Sequence, residues 1–307
     1  MFETLLQMIA LIACGVGWRF LRPGKLTPEQ VRLALTESVY YLFLPALVLV
    51  VLWRTPIGLD SLRISFLAAT GILFALLLSG LACRLCRMPA GISGAVMLAS
   101  AFPNATYLGL PVLQTTFGDW AQNIAIQYDL FACTPLLFTV GILVAQHYGE
   151  SDNATSARAG FLKRLLRIPP LWAAIMGSAL SLFSVPLDSN LEIILKLLGD
   201  TVIPLMLVAL GLSLQWRSIS TQQLPPLMLI SGIQLLLTPL LVWQMAKVLG
   251  LEDDLLSAVV LEAAMPSMVL GLVLCDRFRL DTTLYALAVT VTTLLSLLSL
   301  PLWFDLI

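Results

Sequence analysis

Two stretches of this chain read alike: Gly94–Tyr107, GAVMLASAFPNATY, and Ser257–Leu270, SAVVLEAAMPSMVL. Ala95/Ala258, Val96/Val259, Leu98/Leu261, Ala101/Ala264 and Pro103/Pro266 are identical at a constant offset. Each stretch is apolar and carries its proline inside a run long enough to cross a bilayer, whose hydrocarbon core needs about 20 apolar residues per helix. A proline in a helix interior removes one hydrogen bond and clashes with the preceding turn. In lipid, the carbonyls it frees need another partner. Asn104 and Ser267 follow the two prolines directly, and both residue types are good helix N-caps. Each stretch is therefore expected to be two half-helices, the second starting afresh at Asn104 or Ser267. Gly109 and Gly271 follow shortly and are expected to permit close backbone approach.

Working outward, ten apolar runs have spanning length, at about 3–21, 33–53, 62–83, 91–117, 121–147, 168–185, 190–214, 224–249, 255–277 and 282–303. The two proline stretches occupy the fourth and ninth. The second and seventh form another pair, Leu44-Pro45-Ala46-Leu47 and Ile203-Pro204-Leu205-Met206. The reading is an all-α polytopic membrane protein: residues 1–147 form a first five-helix repeat, 148–167 a polar linker, and 168–307 a second repeat. An odd number of spans per repeat makes the two halves inverted in the membrane. Orientation follows from the basic residues. With the N-terminus outside, Arg54, Arg63, Lys196 and Lys247 lie outside and the other thirteen of the 17 Lys and Arg lie inside. Both termini are expected outside and the linker in the cytoplasm of a cell (inner) membrane protein.

Composition agrees. Of 307 residues, 59% are hydrophobic and 11% charged, with 17 basic and 18 acidic side chains. A soluble domain of this length carries roughly 75 charges. Mean hydropathy is +0.94. These values exclude a soluble enzyme, a disordered chain and a nucleic-acid binder; barrel strands would alternate instead of forming long apolar runs. The net charge of −1 offers nothing to a polyanion. Cys83 and Cys86 form a CxxC, but the one histidine, His147, is distant in sequence, so no metal site is expected. A single histidine and scattered acids also argue against an intramembrane enzyme. No GxxxxGK[ST] motif supports ATP-driven transport. The sequons at Asn104 and Asn153 fall in a span and in the linker, and are read as chance matches.

When an inverted repeat is folded together, the two breaks meet near the midplane. Unpaired N–H groups and positive dipole ends there suit an anion, and the ends of the first half-helices offer carbonyls to a cation. Ionisable residues inside spans are functional candidates by default. Glu262 lies one turn before Pro266, and Asp129 lies inside the fifth span. Both are candidates to carry a coupling H+ or Na+. Glu37 and Asp200 precede their spans' prolines and are read as interfacial. Gln114, Thr290, Thr292 and Thr293 are candidates to line a polar path, although such stripes commonly glue helices together.

The segment Pro103-Asn104-Ala-Thr-Tyr107-Leu-Gly109-Leu-Pro111 resembles a motif of the auxin efflux carrier family of permeases, in particular its short bacterial members. Ala264-Met265-Pro266-Ser267, Leu44-Pro45-Ala46-Leu47 and the Gly15, Gly17, Arg19 end of the first span are similar to further family elements. The resemblance implies ten helices in two inverted repeats, with helices four and nine broken and crossing around the substrate. It implies a dimeric scaffold of spans one, two, six and seven, and a moving domain of the rest. It implies secondary transport of a small organic anion, a carboxylate such as malate or malonate, without cofactor. Pro103, Asn104, Tyr107, Gly109, Pro266 and Ser267 are then the substrate-binding candidates. Relatives in plants commonly carry Asn where this chain has Ser267. The alternative is a membrane sensor or binding protein that keeps the transporter fold without net transport.

Overall fold

The computed structural model describes residues 2–56, 58–149, 168–214 and 220–307. Most of the expected linker, with Asn153, therefore lies outside the described residues. Among the described residues the chain is helical, with one isolated bridge between extended residues, Pro103 and Ser267. Twelve helices follow in order: α1 (Phe2–Leu21), α2 (Pro28–Arg54), α3 (Leu59–Leu85), α4 (Ala90–Ala101), α5 (Leu110–Phe117), α6 (Asp119–Tyr148), α7 (Pro169–Leu182), α8 (Ser189–Ser213), α9 (Leu224–Val248), α10 (Asp253–Ala263), α11 (Gly271–Arg277) and α12 (Thr282–Leu306). Six of them, α2, α3, α6, α8, α9 and α12, are long and apolar enough to cross a membrane. The pieces α4 and α5 fall within the fourth expected span, and α10 and α11 within the ninth.

The local chemistry explains the ends. Helix α2 starts five residues before the expected 33, because Thr27 forms a capping box. The Gln30 N–H donates to Thr27 Oγ1 at 3.2 Å, and the Thr27 N–H donates to the Gln30 side chain at 2.8 Å. Pro28 then occupies the first turn, where its missing N–H costs nothing. Asp188 and Asp281 cap α8 and α12 through their side chains alone, accepting from the Asn190 and Leu191 N–H groups and from the Leu284 N–H.

Four prolines are accommodated by widened turns, whereas Pro301 sits inside α12 without one. π-Turns at Val39–Phe43, Ala105–Gly109, Asp129–Cys133 and Ile233–Leu237 each end two residues before a proline: Pro45, Pro111, Pro135 and Pro239. The extra residue in the turn moves the carbonyl that the ring would strike.

Helix α3 shows why the protein needs lipid. Ile72, Ala75, Leu76, Ser79 and Cys83 are buried on one face, while Leu73, Leu77 and Leu81 are 43%, 75% and 55% exposed on the other. A helix that is apolar on its outward face as well belongs in a bilayer.

Packing divides the chain into two compact units. The first comprises residues 1–62, 106–126 and 163–214; the second comprises 63–105, 127–162 and 215–307. This grouping cuts across the linear halves. In the first unit α1 lies tightly on α8: a Cβ on Gly15 would strike the Val208 carbonyl, and one on Gly211 the Ile12 carbonyl. Arg19 Nη1 donates to the Leu212 carbonyl at 2.6 Å beside this contact. The neighbouring Gly17 meets nothing within 4 Å, so only Gly15 of the pair is a packing glycine. In the second unit a single apolar core joins α3, α4, α9 and α12, with Ala95, Leu98, Phe102, Ile230 and Ala288 almost fully buried.

Candidate functional site

The two proline stretches meet within the second unit. Pro103 and Ser267 lie side by side in antiparallel fashion. The Asn104 N–H donates to the Pro266 carbonyl at 2.7 Å, and the Met268 N–H donates to the Phe102 carbonyl at 2.9 Å. Each break thus supplies the donor that the other lacks. Pro103 has no N–H for the Ala99 carbonyl one turn back; the Ser267 hydroxyl donates to it instead, at 2.6 Å. The Glu262 carbonyl, deprived in the same way by Pro266, accepts from the Met265 N–H at 3.2 Å. The Ser267 N–H donates to Thr292 Oγ1 at 3.1 Å, and Thr292 passes its own proton to the Ala288 carbonyl at 2.7 Å.

This corrects the expectation that the crossing presents unpaired N–H groups. Those of Asn104, Ser267 and Met268 are all engaged. Ser267 is also not an N-cap: α11 begins at Gly271 with no side-chain cap. The backbone satisfied itself across the crossing because two frayed ends in an apolar interior are each other's nearest polar groups. Gly271, expected to admit backbone, admits a ring. A Cβ there would strike Tyr285, whose hydroxyl donates to the Met268 carbonyl at 2.9 Å.

What remains free is side-chain capacity. Asn104 is 2% exposed, and among the described residues its Nδ2 has no hydrogen-bond partner. Glu262 is fully buried, and among the described residues neither of its carboxylate oxygens has a partner. Its electrostatic neighbours are Asp129, Tyr128 and Cys133. Asp129, at the start of a π-turn, accepts from Thr134 Oγ1 at 2.8 Å. Cys133 Sγ in turn lies 3.9 Å from the Pro103 carbonyl. The carboxylates and the crossing therefore share one interior.

Sequence reading missed three residues here. Gln234 is fully buried in α9 and donates from Nε2 to the Met265 carbonyl at 2.8 Å, while its Oε1 has no partner. A lone glutamine between Ile233 and Leu235 was the available signal. Thr134 and Cys133 gave no signal, because their role depends on a contact and not on a pattern. Of the polar-path candidates, Thr290 and Thr292 bond back to their own helix, and Thr293 Oγ1 has no partner. Gln114 donates to Asp119 in the first unit at 2.8 Å. Tyr107 and Gly109 occupy the π-turn after Asn104, and both pack with the first unit. All five cysteines are free.

The profile of the membrane transport protein family matches residues 1–304. The chain belongs to this family, that of the auxin efflux carriers. An uncharacterized transporter of Methanothermobacter thermautotrophicus is 31% identical over 304 residues, covering 98% of this chain and 96% of the relative. A second, from Methanocaldococcus jannaschii, is 27% identical over 68% of this chain and 67% of its own length. The Escherichia coli transporter YfdV is 20% identical over 67% and 65% respectively. Family membership makes this a multi-pass membrane protein of transport, and it agrees with the apolar outer faces of the helices.

Proposed function

We propose that the chain is a secondary active transporter of a small organic anion, working by alternating access at the crossing of the two broken helices. The observation that carries the reading is the crossing itself. Its backbone is satisfied, yet one donor, Asn104 Nδ2, and one carboxylate, Glu262, are left buried without partners. A buried polar group without a partner costs about 1–3 kcal/mol, and more when charged. A protein keeps such groups when a ligand completes them. Asn104 suits a carboxylate substrate; Glu262, with Asp129 beside it, suits a proton or Na+.

In this reading Pro103, Pro266 and Ser267 hold the crossing, and Tyr107 and Gly109 extend the substrate side. The inverted repeat gains support from six of the seven positive-φ residues among the described residues; Asp253, at the start of α10, has no counterpart. Arg22 and Ser184 end α1 and α7; Arg87 and Gly250 follow α3 and α9; Gly118 and Arg279 follow α5 and α11. Each pair closes corresponding spans of the two halves. The first unit, with α1, α2, α7 and α8, is then the scaffold through which two copies associate in the cell membrane, and the second is the part that shifts as an elevator. The termini lie outside and the linker in the cytoplasm.

Counterflow tests the reading. Proteoliposomes preloaded with unlabelled malonate should accumulate labelled malonate transiently. The same screen run on malate and longer carboxylates sets the size limit. Saturable binding without counterflow would make the chain a sensor with the transporter fold, and the absence of both would remove the anion from the proposal.

A further inference from the structure

The first unit contains a cavity of about 410 Å³ between α2, α8 and the start of α6. That is within the range of small-molecule sites, about 300–1,000 Å³. Leu47, Val50 and Val51 line one wall. The opposite wall is a strip of three charges on α8 at helical spacing: Glu192, Lys196 and Asp200. Residues four apart lie on one face of a helix, so the strip alternates negative, positive, negative.

The rest of the lining answers the strip rung by rung. Arg54 pairs with Glu192. Asp119 lies 3.7 Å from Lys196. Nothing answers Asp200: among the described residues it has no ion-pair partner and no side-chain hydrogen bond, although it lines the cavity, exposed, at the C-terminal cap of the helical segment Ser189–Gly199. Leu47 sits beside this turn: a Cβ on Gly199 would come 2.9 Å from its side chain. Asp200 leaves one negative charge beside an apolar wall, open to a cationic ligand.

We infer that this cavity is a binding site for an organic cation, an ammonium group on a short apolar chain. The ammonium completes the third rung at Asp200, and the chain lies along Leu47, Val50 and Val51. The apolar wall and the single open carboxylate disfavour a metal. Among the described residues no three His, Cys, Asp or Glu side chains could hold one. The site is distinct from the crossing and uses no residue of the second unit, so it stands or falls independently of anion transport.

Calorimetry on the purified full-length protein in nanodiscs tests it, with n-butylammonium as probe and butyrate and 1-butanol as controls of equal chain length. Butylammonium should bind saturably and about tenfold or more tighter than either control, the value of one charge-assisted contact. Asp200→Asn should weaken it about tenfold, and Asp200→Glu should restore it to within about threefold. Equal binding by the wild type and Asp200→Asn, equal binding of butyrate, or no saturable binding would each overturn the site. If Asp200→Asn does not fold, Val51→Phe decides: filling the cavity should abolish binding, and unchanged affinity refutes the location.

Discussion

The two units treat charge in opposite ways. In the second, Glu262 is fully buried with neither oxygen partnered among the described residues, beside a crossing whose backbone N–H groups at Asn104 and Met268 are paired across the break. In the first, acids and bases face one another across an open cavity, with side chains such as Lys196 and Asp119 at 57% and 69% exposure. Water screens the second kind of charge and leaves each pair worth little. No such relief reaches Glu262. On the proposed function the costly charge of Glu262 is one that a ligand completes, whereas at the open cavity Glu192 and Lys196 are already paired and only Asp200 is left over.

Substitutions can break this contrast. The largest effect is expected at Glu262→Gln. Gradient-driven uptake in proteoliposomes should fall about tenfold or more, while thermal stability holds or rises, because an unpartnered carboxylate gives way to a neutral amide. Uptake that still follows an imposed pH or Na+ gradient would end the coupling role. An intermediate effect separates the two residues after the prolines. Ser267→Ala strands the Ala99 carbonyl and should cost about 1–3 kcal/mol of stability. Asn104→Ala removes a donor with no partner to lose, so it should leave the melting temperature nearly unchanged and weaken substrate binding about tenfold. The opposite pattern, with Asn104 structural and Ser267 dispensable, would invert the assignment. The smallest effect belongs to Lys196→Gln, below about 1 kcal/mol. A larger coupling with Asp119 in a double-mutant cycle would show that the cavity is drier than its exposure suggests.

Much of this was legible in the chain. The prolines at Pro103 and Pro266, matched in position and each followed by a small polar residue, announced two broken helices, because no apolar context repairs a missing N–H. Glu262 stood out because a carboxylate one turn from such a break is rare in an apolar run. The capping box at Thr27 was equally visible as Thr-Pro-Glu-Gln, yet the helix start was placed at 33, since hydropathy locates apolar runs and not hydrogen-bonded ends. Asp200 reads from the sequence as interfacial; its lack of a counter-charge appears only when Arg54 and Asp119 are seen opposite its two neighbours on the helix.

The sequence by itself determined the membrane class, the helical content and the sites of rupture. These follow from composition and from proline, and both act locally. Tertiary structure decided who satisfies whom. The N–H groups expected to await an anion are used in a two-residue bridge between the breaks, and the Ser267 hydroxyl serves the Ala99 carbonyl, 168 residues away. Such pairings have no sequence signature, because a hydrogen bond depends on which groups are brought within about 3 Å, and only the packed helices set that distance.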